Sequence, residues 1–247
     1  MRSLTWALCC VALLLPPYAR AQERVEQRLQ RFHFSDPAYL QQPQALQFSV
    51  GSYWRDKEGE GNFTLPLELQ FGASERLEFD GEVELAFPQA SSGSVRPVDR
   101  AEVGATLGLL DDGARGVALA AGVGFVGSRD PLDDSFDPGA APHVIAYAQR
   151  GKLLANLQLS IDLIARNDAL DAAPEAALGL ALDLGTVKPV FEAQYTNDDA
   201  PAGTFALGLR FQPVKSLELG AAVPLEVSEG DTSLGVIGQV IWELGGS

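Results

Sequence analysis

Residues 153–166 read Leu-Leu-Ala-Asn-Leu-Gln-Leu-Ser-Ile-Asp-Leu-Ile-Ala-Arg, and this alternation constrains the fold more than any other feature of the chain. Leu153, Ala155, Leu157, Leu159, Ile161 and Leu163 fall on one face of an extended backbone. Asn156, Gln158, Ser160, Asp162 and Arg166 fall on the other. A repeat of two marks a strand with one apolar and one wet face. The apolar row is long enough to cross a bilayer, which takes roughly 9–11 tilted residues. The pattern recurs along the chain between Ala45 and Leu244. Such a chain is expected to be all-β, a transmembrane antiparallel up-and-down β-barrel of about 12 strands.

The start of the chain is different in kind. Arg2, the apolar run Trp6 to Leu15 and the small-x-small pattern Ala19-Arg20-Ala21 read as an export signal, so residues 1–21 are expected to be removed before Gln22. Cys9 and Cys10 are the chain's two cysteines and would leave with it, so no disulfide is expected to hold the fold. Residues 22–44 follow as a periplasmic segment. Glu23 to Phe32 fits a short helix, broken by Ser35-Asp36-Pro37. It reads either as a loose lead-in or as a small plug. The lead-in is preferred, because Val25 and Leu29 bury little area. Residues 45–247 are the barrel. The expected location is the bacterial outer membrane, with its lipid as partner.

The strands expected from the alternation include Asn62–Phe71, Arg76–Phe87, Arg100–Leu110, Lys152–Arg166, Glu175–Leu184 and Lys188–Thr196, with His143–Gln149 the weakest. Every other link is tight and rich in turn formers, such as Asp111-Asp112-Gly113-Ala114 and Arg150-Gly151. The alternate links, such as Pro88–Asp99 and Gly127–Pro142, are longer and acidic. Short periplasmic turns and longer extracellular loops are the polarity of an outer-membrane barrel. Aromatics bracket the apolar rows: Phe63 and Phe71, Phe79 and Phe87, Phe205 and Phe211, Phe191 and Tyr195. Eight residues of tilted strand cover roughly 20 Å of depth, the spacing of two interfacial girdles. The competing fold, a soluble secreted β-barrel binding protein, would turn its apolar face inward, and a closed barrel of about 12 strands is too wide for side chains to fill.

The other face would then line a lumen. The expected pore-lining residues are Glu68, Glu78, Asp80, Glu82, Glu84, Glu102, Asn156, Gln158, Ser160, Asp162, Glu192, Gln194 and Arg210. Asp183 and Glu218 also fall on this face, and positive partners are few, Arg210 and Arg166 being the clearest. Opposite the acids stand small inward residues, among them Gly104, Gly108, Ala120, Gly122, Gly124, Gly179 and Ala181. One wall reads as acidic and crowded, the other as small and open. The pattern fits a narrow passage for cations or neutral solutes. It also fits a barrel closed by its own hydrogen-bonded acids, serving envelope structure or interaction. The net charge of −15 excludes nucleic-acid binding through a basic surface.

No catalysis and no cofactor is expected. A lipid-modifying hydrolase needs His and Ser within hydrogen-bond reach. His33 lies in the lead-in, and His143 reads as a loop-rim residue with no serine near it in sequence. The acidic stretch from Asp130 to Asp137 lacks EF-hand spacing and reads as a solvated loop rather than a cation site.

The blocks Phe71-Gly-Ala-Ser-Glu-Arg-Leu-Glu-Phe-Asp-Gly-Glu-Val-Glu-Leu-Ala-Phe-Pro88 and Leu207-Gly-Leu-Arg-Phe-Gln-Pro-Val-Lys-Ser-Leu-Glu-Leu-Gly-Ala-Ala-Val-Pro224 resemble a recurrent hairpin of one family. It is that of the outer-membrane barrels described as meta-pathway phenol-degradation proteins or transporters. The hairpin runs strand, tight turn, Leu-Glu-Leu or Leu-Glu-Phe, then a strand ending near Pro. The resemblance spans residues 45–244 and implies a channel for small aromatic or hydrophobic compounds. It brings no site residues with it.

Overall fold

The computed structural model describes residues 32–36, 38, 40–57, 60–88, 98–129, 135–166, 169–197, 201–228 and 231–245. The expected signal and residues 22–31, with all of the predicted helix but Phe32, lie outside them. Twelve strands follow one another: β1 (Leu46–Lys57), β2 (Glu60–Ser74), β3 (Leu77–Pro88), β4 (Val98–Asp112), β5 (Val117–Arg129), β6 (Phe136–Arg150), β7 (Leu153–Arg166), β8 (Ala169–Leu182), β9 (Val187–Asn197), β10 (Pro201–Val214), β11 (Leu217–Ser228) and β12 (Asp231–Leu244). Each pairs antiparallel with its chain neighbours, and β1 pairs with β12 to close the barrel. Closure leaves no strand edge unpaired, the condition for crossing hydrocarbon with β-structure.

The strands run further than the alternation suggested, because polar ends extend past the apolar rows. The weakest expected strand, His143–Gln149, is the inner half of a strand that starts at Phe136. It hides because Asp137, Pro138, Gly139 and Pro142 are poor strand formers in isolation. Asp137 therefore belongs to β6, while residues 130–134 of that acidic stretch lie outside the described residues. The links at the β1 start are 75–76, 113–116, 151–152, 183–186 and 215–216. At the other end, only 89–97 and 130–135 are distinctly longer. Gly116 and Gly151 take φ of 66° and 61° in their turns, where a Cβ would be strained. Prolines sit where ladders skip: the β1–β2 pairing jumps from Val50↔Leu67 to Tyr53↔Thr64 beside Pro66.

The apolar faces point outward. Leu157 and Leu159 are 41% and 50% exposed, while Asn156 on the other face of β7 is 1% exposed. Outward rings pair across strands at both ends of the apolar band: Phe71 with Phe79 and Phe48 with Trp242 near the short turns, Phe63 with Phe87 near the loops. The last pair has ring centroids 6.0 Å apart. An apolar belt of this extent is the inverse of a water-soluble barrel and suits lipid.

Candidate functional site

The lumen is divided into two regions. Its short-turn half is filled by the segment preceding β1. The chain turns back into the barrel at residues 42–45, where Ala45 N–H donates to Gln42 O at 2.9 Å and Gln44 N–H to Gly72 O at 2.7 Å. Gln44 is the one described non-glycine residue with positive φ, 65°. A left-handed glutamine persists only where surrounding contacts hold it.

Those contacts are numerous. Phe32 is fully buried against Ala118, Ala120, Ile145, Tyr147, Leu154, Ala181 and Val190. Phe34 packs against Ala206, Ala222, Ile237 and Tyr53. The Glu192 carboxylate accepts the backbone N–H groups of both His33 (2.7 Å) and Phe34 (2.8 Å). Asn156 donates to Ser35 Oγ at 3.0 Å and to Asp36 O at 2.8 Å. Asp36 N–H donates to Gln158, and Gln41 N–H to Glu78. The described residues of 32–44 are thus bonded into the lumen, not a loose lead-in. The expectation failed because it weighed Val25 and Leu29, whereas Phe32 and Phe34 carry the buried area.

The same contacts correct the reading of an open wall. A Cβ at Gly179 would run into the Phe32 ring, and one at Gly72 into the backbone oxygens of Gln41 and Gln42. Higher up, Gly104 lies against the Asp80 carboxylate, Gly124 against Glu102, and Gly122 against the His143 ring. The small inward residues do not leave a gap. They make room for large side chains from neighbouring strands and for the incoming segment.

Above this plug lies a cavity of about 390 Å³. His33, Phe34 and Asp36 of the plug line it, together with eight strand carboxylates: Glu68, Glu78, Asp80, Glu82, Glu84, Glu102, Asp162 and Glu175. Thr106, His143, Gln158, Ser160 and Gln194 add neutral polar groups. Strand register builds the acidic wall. Glu68 on β2 stands opposite Glu82 on β3, which stands opposite Glu102 on β4. Like charges directly opposite one another are unfavourable in a sheet. Among the described residues Arg100 is the single Lys or Arg on the lining. Its guanidinium donates to Glu102 at 2.8 Å and reaches past β5 and β6 to Asp162 on β7.

Ten of the thirteen expected pore residues line this cavity: the six acids from Glu68 to Glu102, with Gln158, Ser160, Asp162 and Gln194. The other three do not. Asn156 and Glu192 bind the plug. Arg210 is fully buried lower down, 3.8 Å from Glu218, which also lies 3.9 Å from Lys188. Asp183, expected to point inward, sits just past β8 and accepts the N–H of Gly185 in the turn. Arg166 pairs with Asp137 and Asp171 at the loop end. Sequence reasoning passed over Arg100 and Glu175. Arg100 shares the wet face of Glu102 two residues on, which was the available signal.

His143 is not a rim residue. It sits inside β6, paired across strands with Ser160, which is paired with Glu175. These are hydrolase residue types, but their bonds run elsewhere. His143 Nε2 engages Thr106 Oγ1 at 3.0 Å, and Glu175 accepts from Gln194 at 2.7 Å. A serine hydrolase needs its Ser bonded to the His that activates it, and His143 Nε2 engages Thr106 rather than Ser160.

No protein-family model and no curated protein matches the chain. Solved structures do. The NanC porin superposes with a TM-score of 0.61 at 10% identity, covering 80% of this chain and 100% of that one. The chain has the fold of outer-membrane porins. A KdgM porin in complex with disordered oligogalacturonate matches with a TM-score of 0.54 at 14% identity, over 78% and 97% of the two chains. Outer membrane phospholipase A from Escherichia coli matches at 0.51 and 12%, over 88% and 95%. A shared barrel thus serves porins and a phospholipase, and function has to be argued from the lumen.

Proposed function

We propose that the protein is an outer-membrane channel for small solutes that favours cations or neutral polar molecules over anions. The observation that carries this reading is the cavity inside a porin-type barrel, where, among the described residues, one arginine faces eight strand carboxylates. Rows of Asp and Glu side chains raise the local concentration of cations and oppose anions. The lining is polar, which suits charged or hydrogen-bonding solutes better than the aromatic hydrocarbons implied by the phenol-degradation resemblance. Nor does the polyanion of the KdgM complex transfer, since its carboxylates would meet carboxylates here. The serine-hydrolase alternative is less well supported, since His143 Nε2 engages Thr106 rather than Ser160.

The second reading is a closed barrel serving envelope structure, and the luminal plug favours it. Planar-bilayer recording separates the two. A channel gives discrete current steps whose reversal potential in a KCl gradient lies toward the potassium equilibrium value. Anion selectivity overturns the proposed preference. Silence in every form, plug variants included, overturns the channel.

A further inference from the structure

We infer that residues 32–44 are an autoinhibitory plug that holds the lumen shut at its short-turn end and must leave its seat for solute to pass. The inference rests on the channel reading and adds how that channel is regulated.

The seat is shaped for this segment. Barrel strands normally fill their lumen with their own side chains, or leave it wet. Here strands offer Ala118, Ala120, Gly179 and Ala181 at one place, and the ring of Phe32 occupies the space they leave. Gly72 has no Cβ where the backbone of Gln41 and Gln42 crosses it. Glu192 is 1% exposed, and its two carboxylate oxygens each accept a plug backbone N–H. Charge-assisted bonds of that kind are among the stronger ones a protein makes. The plug is therefore latched by polar bonds and by ring sockets.

The attachment is also reversible in design. Of the twelve barrel strands, none belongs to the segment, and closure by β1 with β12 does not involve it. Its bonds to the wall are mostly single side-chain contacts rather than a ladder. It connects to β1 through one tight turn, with Gln44 in a left-handed conformation that is released when the segment swings out. Above it, His33, Phe34 and Asp36 form part of the cavity lining, so its departure would lengthen the cavity toward the β1 end.

The test is bilayer recording of the full-length protein with latch variants. Phe32→Ala empties a socket, and Glu192→Gln weakens the latch; neither changes strand pairing. Each should raise the open fraction at least about tenfold over wild type, the scale of one charge-assisted bond for Glu192→Gln and of a lost buried ring for Phe32→Ala. A tether gives the converse. Ser35→Cys with Asn156→Cys, in a background of Cys9→Ala and Cys10→Ala, joined by a short reducible bis-thiosulfonate, should hold the pore closed until reductant is added. If tethered and reduced forms conduct alike, or wild type is open as often as the latch variants, the plug is not a gate and the channel stands. If no form conducts, before or after reduction, the channel reading falls and the gate falls with it.

Discussion

The Arg100 guanidinium on β4 meets the Asp162 carboxylate on β7 across the lumen, with two strands between them along the wall. It is a strut across the acidic cavity, and it also bonds Glu102 on its own strand. Both carboxylates it holds are mostly buried, with side-chain exposures of 24% and 19%, so removing the guanidinium would leave them uncompensated in an acidic wall. The strut also sets the width and charge of the passage.

Arg100→Ala should therefore lower the melting temperature while the twelve-stranded barrel still forms. It should raise single-channel conductance and shift the reversal potential further toward the cation limit. The measurement is conductance and reversal potential for both proteins in one salt gradient, with their melting temperatures. Lower conductance in the variant, or a melting temperature equal to wild type, counts against the strut.

The two faces of β7 should differ in their tolerance of charge. Leu159 lies on the outer face and is half exposed, while Gln158 beside it lines the cavity. Leu159→Arg should cost about 2–4 kcal/mol near the bilayer midplane, whereas arginine at a lumen position is tolerated. Folding yield into liposomes for Leu159→Arg and Gln158→Arg reads the difference. Equal yields would mean the faces have been assigned the wrong way round.

The plug seat can also be tested from the wall. A side chain at position 179 competes with the Phe32 ring for one volume. Gly179→Val should displace residues 32–36 and leave the closed barrel formed. Limited proteolysis of the folded protein should then cut between residues 32 and 44 faster than in wild type, at an unchanged barrel core. Unchanged cleavage would show that the ring has another place to go.

Processing gives a separate expectation. Removal of residues 1–21 should leave Gln22 first and no thiol, since Cys9 and Cys10 precede the cut. Intact mass of protein from purified outer membranes checks it. A lipid adduct on Cys10, or a mass that includes residues 1–21, contradicts the reading.

The barrel was legible in the sequence and the plug was not, for a physical reason. Strand alternation is a local property, visible in Leu157-Gln158-Leu159-Ser160-Ile161 without knowing the neighbours. A plug has no period. Phe32 and Phe34 become informative only once Ala118, Ala120 and Ala181 are brought around one of them from β5 and β8. The inward facing of Glu78 to Glu84 followed from parity. The partner of Asp162 did not, because nothing in the order of residues says that β4 reaches β7. The true length of β6 stayed hidden behind Pro138 and Pro142, where sheet context outweighs residue preference.

The strongest test concerns the acidic row. Glu82 stands opposite both Glu68 and Glu102, and Glu84 lies beside Arg100 on the next strand, so positions 82 and 84 sit at the densest part of the wall. Replacing Glu82 and Glu84 by Lys changes the lining by four units of charge. The new ammonium at position 82 can pair with Glu68 and Glu102, which offsets the like charge that position 84 then presents to Arg100, so the barrel should keep its yield and its heat-modifiable mobility on gels. Lumen substitutions of this kind tune selectivity more than stability. Cation preference should be abolished or reversed in a salt-gradient recording, ideally in the Phe32→Ala background so that closure by the plug does not limit the current. A double variant as cation-selective as its parent would show that ions take a path these carboxylates do not line.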